Sequence, residues 1–244
     1  MDLSNRTAVV TGATAGIGTA TARALHEAGA AVALVGRRDD RLQALAAELG
    51  ERAVAISADV ARPDGLADRV HDVLGPVDLV VANAGVMYGA PFEQADTTEW
   101  QQMLDVNVGG LLNTGRAFID DLLAAAEQGR SADLVHVGSI GGHQLFPSYG
   151  VYCATKAAVE HLTRNLRLEL GPRGVRVKSI EPGIVTTELG DGMAHDETRD
   201  ALQGMRAALE PLDPGAIADA IVYAVGAPRN VNVADLVVVP VGQG

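Results

Sequence analysis

Three polar residues in the second half of the sequence, Ser139, Tyr152 and Lys156, have the types and spacing of an acid–base site. Tyr152 and Lys156 are four residues apart, a spacing that places both on one face of a helix. A tyrosine has a reference pKa of about 10, and a nearby ammonium group favours its ionised form, so Lys156 would help Tyr152 to exchange a proton. Ser139 follows a candidate strand. The pattern predicts acid–base chemistry at Tyr152; the alternative is a chance pair on a structural helix.

A glycine-rich turn near the start of the chain has the composition of a phosphate-binding loop. The segment TGATAGIG follows a candidate strand and opens a candidate helix. Main-chain N–H groups and the positive end of a helix dipole would there face a pyrophosphate. Gly12 would allow the tight turn, Gly16 the close approach of phosphate, and Gly18 the packing of helix on strand. The alternative is an ordinary strand–helix turn that binds no nucleotide.

The end of the second candidate strand, VALVGRRDDRL, indicates which nucleotide would bind. Gly36 stands where a protein that prefers NAD carries Asp or Glu, and Arg37 and Arg38 follow it. Arginine forms paired hydrogen bonds with phosphate oxygens, so the segment predicts NADP(H), with its 2′-phosphate. Asp39 and Asp40 reduce the local positive field. The alternative is a solvated arginine pair.

Short apolar runs alternate with longer amphipathic stretches, the pattern of repeated strand–helix units. The apolar runs are continuous, as expected of parallel strands covered on both faces. Strands are predicted at residues 7–11, 31–35, 53–57, 79–82, 134–138, 175–180 and 236–239, and helices at 16–28, 41–49, 63–74, 98–126, 151–170 and 214–225. The prediction is a single α/β domain over residues 1–244: a Rossmann fold with a doubly wound, mostly parallel seven-stranded sheet and helices on both faces. Residues 186–210 are expected to form a substrate lid.

The composition argues against several other classes of protein. The formal net charge is −12, and only Lys156 and Lys178 of the 19 basic residues are lysines, so no nucleic-acid partner is expected. No apolar run approaches the roughly 18–20 residues that span a bilayer, and the first residues lack a signal peptide, so we expect a cytoplasmic protein with no membrane partner. Cys153 is the one cysteine, and the six histidines show no metal-ligand spacing. The sequence therefore predicts neither an intrachain disulfide nor a metal site.

These segments together resemble the short-chain dehydrogenase/reductase family. The motifs TGATAGIG, ANAG at 82–85, Asn107, Ser139, YCATK and EPG at 181–183 occur in the family's order along essentially the whole chain. The resemblance implies an NADP(H)-dependent oxidoreductase that interconverts a small-molecule ketone or aldehyde and the corresponding alcohol by hydride transfer. Two departures are Gly138, where the family often has a second serine, and Ala15, where some NADP-preferring relatives have a basic residue.

The same resemblance assigns roles to four catalytic residues. Tyr152 would be the acid/base, and Ser139 would hold and polarise the substrate oxygen. Lys156 would bind the nicotinamide ribose and lower the pKa of the tyrosine, and Asn107 would anchor a water in the proton relay. Two hydroxyl donors suit a carbonyl oxygen, because that oxygen gains negative charge when hydride reaches the carbon.

The resemblance also implies a set of cofactor contacts. Asp59 and Val60 match the adenine contact, and Thr187 matches a threonine that contacts the carboxamide or phosphate, with Thr186 as the alternative. The full set is Gly12, Thr14, Gly16, Ile17, Gly18, Arg37, Arg38, Asp59, Val60, Asn83, Ala84, Gly85, Tyr152, Lys156, Pro182, Gly183, Ile184 and Thr187.

Substrate and assembly are also predicted by resemblance. The segments VGRRDDRLQAL and SIEPGIVTTEL and the C-terminal segment resemble a bacterial NADP-dependent branch with 3-hydroxy acid (serine) dehydrogenases and the clavulanate-type aldehyde reductase. Pocket walls are expected at residues 86–92, 141–149 and 188–205, with His143 either orienting a substrate or facing solvent. Their apolar members are Met87, Tyr88, Leu145, Phe146, Leu189 and Met193, and Gln144 is a further polar candidate. A homotetramer or dimer is expected through the helices at 98–126 and 151–170 and the C-terminal strand.

Two other functions are compatible with the same fold. One is an NADP-sensing binding module in which chemistry is incidental, and loss of Tyr152 or Lys156 would have supported it. The other is a dehydratase or epimerase that uses the same tyrosine. Both are non-redox alternatives to the oxidoreductase prediction.

Overall fold

A computed structural model describes residues 1–243 of the chain. Within these residues, seven strands form one sheet in the order β3-β2-β1-β4-β5-β6-β7, and every pair of neighbours is parallel. The strands are β1 Thr7–Thr11, β2 Ala31–Gly36, β3 Ala53–Ser57, β4 Leu79–Ala82, β5 Ala132–Val137, β6 Val175–Pro182 and β7 Asp235–Val238. The α-helices are α1 Gly16–Glu27, α2 Asp39–Leu49, α3 Leu66–Leu74, α4 Thr97–Met103, α5 Leu111–Glu127, α6 Gly150–Leu170, α7 Asp196–Leu209 and α8 Pro214–Val225.

Both faces of the sheet are covered by helices, which explains the continuous apolar strands. One core cluster joins the strands to α1, α2 and α8 and includes Leu25, Leu42 and Ile217. The other joins them to α3, α5 and α6 and includes Val70 and Phe118. The predicted doubly wound Rossmann fold is confirmed, and the sheet is parallel throughout. The order of the strands reverses between β1 and β4, so the carboxyl ends of these two strands flank the crevice where such folds bind ligands.

The predicted helix over residues 98–126 is interrupted. A π-helical segment, Leu104–Gly110, separates α4 from α5. The Asn107 side chain in this segment accepts a hydrogen bond from the Val86 main-chain N–H and donates one to its carbonyl. Gly110 packs so closely that a Cβ there would lie 2.5 Å from a Val60 methyl carbon. The wider turn allows both contacts, and such turns often accompany functional sites.

Smaller differences occur at other element ends. The third helix begins at Leu66 rather than at residue 63, because Gly65 before it has a left-handed backbone, with φ +63°. The second helix begins at Asp39, two residues earlier than predicted. The predicted lid segment 186–210 contains one helix, α7.

Buried charges converge at the amino end of the sheet, on the side away from the glycine turn. Asp133 in β5 is fully buried, and the Arg6 and Arg176 guanidinium groups donate hydrogen bonds to it at 2.8 and 2.7 Å. The Lys178 ammonium lies 3.2 Å from the same carboxylate. Arg6 also donates to Asp78 at 2.7 Å, so these side chains connect β1, β4, β5 and β6. No helix within residues 1–243 is long and apolar enough to cross a membrane.

Candidate active site

A cleft of about 470 Å³ runs along the carboxyl ends of the strands. It joins the glycine turn and the arginines after β2 to Ser139, Tyr152 and Lys156. The predicted site residues that line it are Gly12, Thr14, Gly16, Ile17, Arg37, Arg38, Asp59, Val60, Asn83, Ala84, Gly85, Ser139, Tyr152, Lys156, Pro182, Gly183, Ile184 and Thr187. Gly18 and Asn107 do not line the cleft; they pack directly behind it.

The glycine turn has the close backbone contacts that its sequence predicts. Gly12 and Gly16 have positive φ angles of +69° and +52°, which favour glycine. A Cβ on Gly18 would lie 2.2 Å from the Gly12 carbonyl oxygen, so Gly18 allows α1 to pack on the turn. Asn83 after β4 donates a hydrogen bond to the Thr11 carbonyl at 2.8 Å and so holds the two strand ends together. The turn therefore presents bare backbone and the start of α1 to the cleft.

Tyr152 and Lys156 lie on one face of α6, both nearly buried, as their spacing predicts. The Lys156 Nζ lies 5.8 Å from the centre of the Tyr152 ring and donates a hydrogen bond to the Val137 carbonyl at 3.0 Å. Ser139 and Tyr152 border the same glycine: a Cβ on Gly141 would lie 3.4 Å from Ser139 Oγ and from Tyr152 Cε1. Because Ser139 Oγ accepts a hydrogen bond from the Gly141 N–H at 3.0 Å, its own proton can be donated into the cleft.

Burial determines the proton affinities of this pair. It raises the pKa of Tyr152 to about 12, although the hydrogen bond from Ser139 lowers it in part. Burial also lowers the pKa of Lys156 to about 8. Lys156 is not among the causes of this shift, so the lowering of the tyrosine pKa by Lys156 stays a prediction. Tyr152 is thus a protonated phenol at neutral pH, suited to donating a proton.

Asn107 uses its amide nitrogen within the protein. Its side chain is buried, and its amide nitrogen donates both to the Val86 carbonyl and to Thr155 Oγ1, at 2.9 and 3.1 Å. It therefore fixes the segment after β4 against the π-helical segment and α6. The predicted role of anchoring a water stays a prediction.

The two arginines after β2 are held differently. Arg38 donates to Thr14 Oγ1 at 2.8 Å, and its guanidinium forms an ion pair with Glu188 at the start of the lid segment. Arg41 pairs with the same carboxylate at 2.8 Å. Arg37 is exposed, lines the cleft, and forms no hydrogen bond or ion pair with another residue between 1 and 243. The positive charge of Arg37 is therefore available to a ligand where the cleft meets the end of β2.

The segment after β6 closes the middle of the cleft. Thr187 packs on the glycine turn, where a Cβ on Gly16 would lie 2.7 Å from its methyl carbon, whereas the alternative Thr186 does not line the cleft. The Ile184 N–H donates to Gln243 Oε1 at 2.7 Å. Gln243 was not predicted, because only the return of the C-terminal segment to the sheet edge places it there. Arg206 in α7 also lines the cleft and was not predicted. It lies one helical turn after Leu202, which lines the cleft too, so helical periodicity was the signal that could have identified it.

The substrate end of the cleft is largely apolar. Of the predicted apolar wall residues, Met87, Tyr88, Phe146 and Leu189 line it. Leu145 points to solvent, with 95 % of its surface exposed, and Met193 is buried behind the wall. Neither of the two predicted polar candidates, His143 and Gln144, is among the lining residues.

Comparison with known proteins gives consistent matches. The family model for short chain dehydrogenase matches residues 6–198. An uncharacterized oxidoreductase of Staphylococcus aureus strain MRSA252 is 39% identical over 243 residues, which cover 98% of this chain and 99% of that protein. A glycine betaine reductase of Emericella nidulans is 37% identical over 244 residues; the match covers 98% of this chain but 19% of that longer protein.

Solved structures agree with the sequence comparisons. An alcohol dehydrogenase of the archaeon Thermococcus sibiricus, complexed with 5-hydroxy-NADP, superposes with a TM-score of 0.85 at 32% identity and covers 98% of each chain. The closed form of a serine dehydrogenase complexed with NADP+ gives a TM-score of 0.88 at 31% identity, over 98% of this chain and 96% of that one. On the family match and these relatives, the chain belongs to the short-chain dehydrogenase/reductase family.

Proposed function

We propose that this protein is an NADP(H)-dependent oxidoreductase that interconverts a small-molecule ketone or aldehyde and the corresponding alcohol. One observation carries the proposal: a single cleft joins the bare glycine turn and Arg37 at one end to Ser139, Tyr152 and Lys156 at the other. The NADP complexes of the similar alcohol and serine dehydrogenases support the choice of cofactor.

The residues of the cleft fit a dinucleotide. The positive φ angles of Gly12 and Gly16 shape a turn that exposes bare backbone to the cleft, and the N-terminus of α1 supplies N–H donors for a pyrophosphate. Asp59 and Val60 would contact the adenine, and Pro182 to Ile184 and Thr187 would lie beside the nicotinamide. The cofactor, when bound, would supply or accept the hydride.

The chain's own residues would manage the proton and the charge on oxygen. Ser139 and Tyr152 would donate hydrogen bonds to the substrate oxygen, which gains negative charge as a carbonyl is reduced. Tyr152 would then transfer its proton to that oxygen. Because burial raises the pKa of Tyr152 to about 12, the phenol holds this proton throughout the neutral range. Lys156 would hold the nicotinamide ribose.

Arg37→Ala should weaken the recognition of NADPH selectively. We expect the KM for NADPH to rise roughly 10- to 100-fold and the KM for NADH to change little, because hydrogen bonds to charged groups contribute about 1.5–3 kcal/mol and only NADPH carries the 2′-phosphate. Steady-state kinetics with both cofactors measures this difference. Arg116→Ala is the matched control, since Arg116 is an exposed arginine on α5 that does not line the cleft. Equal changes for NADPH and NADH would contradict the assignment.

The substrate is proposed to be a small free carbonyl compound. The wall formed by Met87, Tyr88, Phe146 and Leu189 is apolar. The net charge of −12 disfavours docking of an acidic carrier protein. NADPH absorbance followed over a panel of ketones and aldehydes tests the proposal and identifies substrates. Loss of NADPH absorbance with any compound of the panel supports the oxidoreductase. Binding of NADPH without loss of absorbance for every compound supports the non-redox alternatives.

A homotetramer or dimer in the cytoplasm stays part of the proposal. Large apolar side chains are exposed on the surface of α5 and α6, such as Leu112 and Leu168, and on β7, such as Val237. Burial of these residues between subunits would remove apolar surface from water. They match the helices and the strand through which we expect assembly.

A further inference from the structure

Three potential metal ligands meet outside the cleft. One ligand atom each from His143, Glu160 and Glu181 lies within 4.8 Å of the other two. The three residues come from different segments, namely the loop after β5, helix α6 and strand β6. They are distant in sequence, so spacing could not reveal them, and the prediction of no metal site rested on spacing. None of the three lines the cleft, so the proposed function does not account for the cluster.

The distances are close to those of a coordination shell. His143 Nδ1 lies 3.4 Å from Glu181 Oε2 and 3.9 Å from Glu160 Oε2. With metal–ligand bonds of about 2.0–2.2 Å, neighbouring ligands of a tetrahedral zinc ion are about 3.4 Å apart. Glu160 directs its other oxygen to Arg164, which leaves Oε2 for the cluster. Small side-chain movements would therefore bring the three atoms around one ion.

A buried hydroxyl lies beside the cluster. Ser179 Oγ is fully buried in β6. Ser179 lies two residues before Glu181 on the same face of β6, and a Cβ on Gly138 would lie 3.2 Å from both Ser179 Oγ and Glu181 Cγ. The Ser179 hydroxyl is therefore placed to donate a hydrogen bond to the Glu181 carboxylate and to fix its orientation beside His143.

The charge of the cluster also favours a cation. The Glu181 side chain is only 5% exposed, and Glu160 lies nearby with a like charge. Arg164 pairs with the other oxygen of Glu160, and the His143 ring faces both carboxylates. A divalent ion would compensate both charges at once.

We propose that His143, Glu160 and Glu181 bind a zinc ion, with water as the fourth ligand. One imidazole nitrogen and two carboxylate oxygens are ligands that Zn²⁺ accepts. Its role would be to position segments of the active site. His143 lies four residues after Ser139, Glu160 one helical turn after Lys156, and Glu181 directly before Pro182. From outside the cleft, the ion would thus hold together the three segments that carry Ser139, Lys156 and Pro182.

Zinc binding to the full chain tests this proposal without any cofactor or substrate. Protein freed of metal by a chelator and then titrated with ZnCl₂ should bind one ion per chain, and its Tm should rise by a few degrees because zinc binds only the folded cluster. Equal concentrations of MgCl₂ should give no shift. The variant His143→Ala should lose both effects while keeping the metal-free Tm, since His143 lies partly at the surface.

His161→Ala is the matched control, because it removes an exposed imidazole adjacent to Glu160 and should leave zinc binding unchanged. Glu160→Gln should lose zinc binding as His143→Ala does. Absence of a stoichiometric zinc ion, or binding that survives His143→Ala, would overturn the proposal. Because these readouts need no NADPH, their failure would leave the proposed oxidoreductase function intact, and failure of that function would leave the zinc site intact.

Discussion

Tyr152→Phe should lower kcat for NADPH-dependent carbonyl reduction by about 10²- to 10⁴-fold, the contribution typical of a positioned general acid. The substitution removes the phenolic proton that the substrate oxygen would receive in the proposed mechanism. It leaves the ring in its buried place on α6 and does not touch the glycine turn. We therefore expect the Kd for NADPH to remain close to that of the unmodified protein. Steady-state kinetics and cofactor fluorescence titration measure the two quantities.

Tyr223→Phe is the control for this experiment. Tyr223 is exposed on α8, outside the cleft, so the loss of its hydroxyl should leave kcat unchanged. A Tyr152→Phe protein that reduces carbonyl compounds at the unmodified rate would show that another group supplies the proton. Loss of NADPH binding in the same variant would instead indicate a structural role for the phenol.

Asp133→Asn should destabilise the fold by about 3–5 kcal/mol, the cost typical of breaking a buried ion pair from one side. The substitution removes the carboxylate that Arg6, Arg176 and Lys178 share at the amino end of the sheet. Three cations would then lie buried around a neutral amide, since each side chain is less than one tenth exposed. For a chain of this size the Tm should fall by roughly 6–20 °C, as measured by thermal unfolding.

Asp120→Asn is the matched control for the buried carboxylate. Asp120 pairs with Arg116 on the surface of α5 and is 80% exposed, so its loss should change stability by less than about 0.5 kcal/mol. An Asp133→Asn protein as stable as the Asp120→Asn protein would show that the buried cations find other partners. Neither Asp133 nor Asp120 lines the cleft, so both substitutions leave the residues of the cleft unchanged.

Much of the fold and the cleft could be predicted because local sequence determines it. Continuous apolar runs define strands, and the glycines after β1 mark the tight turn into α1. Tyr152 and Lys156 share a face of α6 because helical geometry dictates it. These features depend on neighbouring residues, so the sequence alone shows them.

The remaining features depend on contacts between distant segments. The π-helical segment forms where Asn107 meets Val86, a contact that no periodicity reveals. Gln243 reaches Ile184 only because the C-terminal segment returns to the end of β6. The raised pKa of Tyr152 follows from the depth of its burial rather than from the charge of Lys156. Tertiary packing, not residue type, decides each of these.

Transfer of deuterium from the cofactor tests the oxidoreductase proposal most directly. NADPH carrying deuterium at both C4 positions of the nicotinamide would be incubated with the protein and a carbonyl compound from the panel, and the product analysed by mass spectrometry. Our proposal predicts that deuterium appears on the carbon that bears the new hydroxyl group, and that Tyr152→Phe slows its appearance. A product with no deuterium at that carbon, formed while the protein binds NADPH, would contradict hydride transfer.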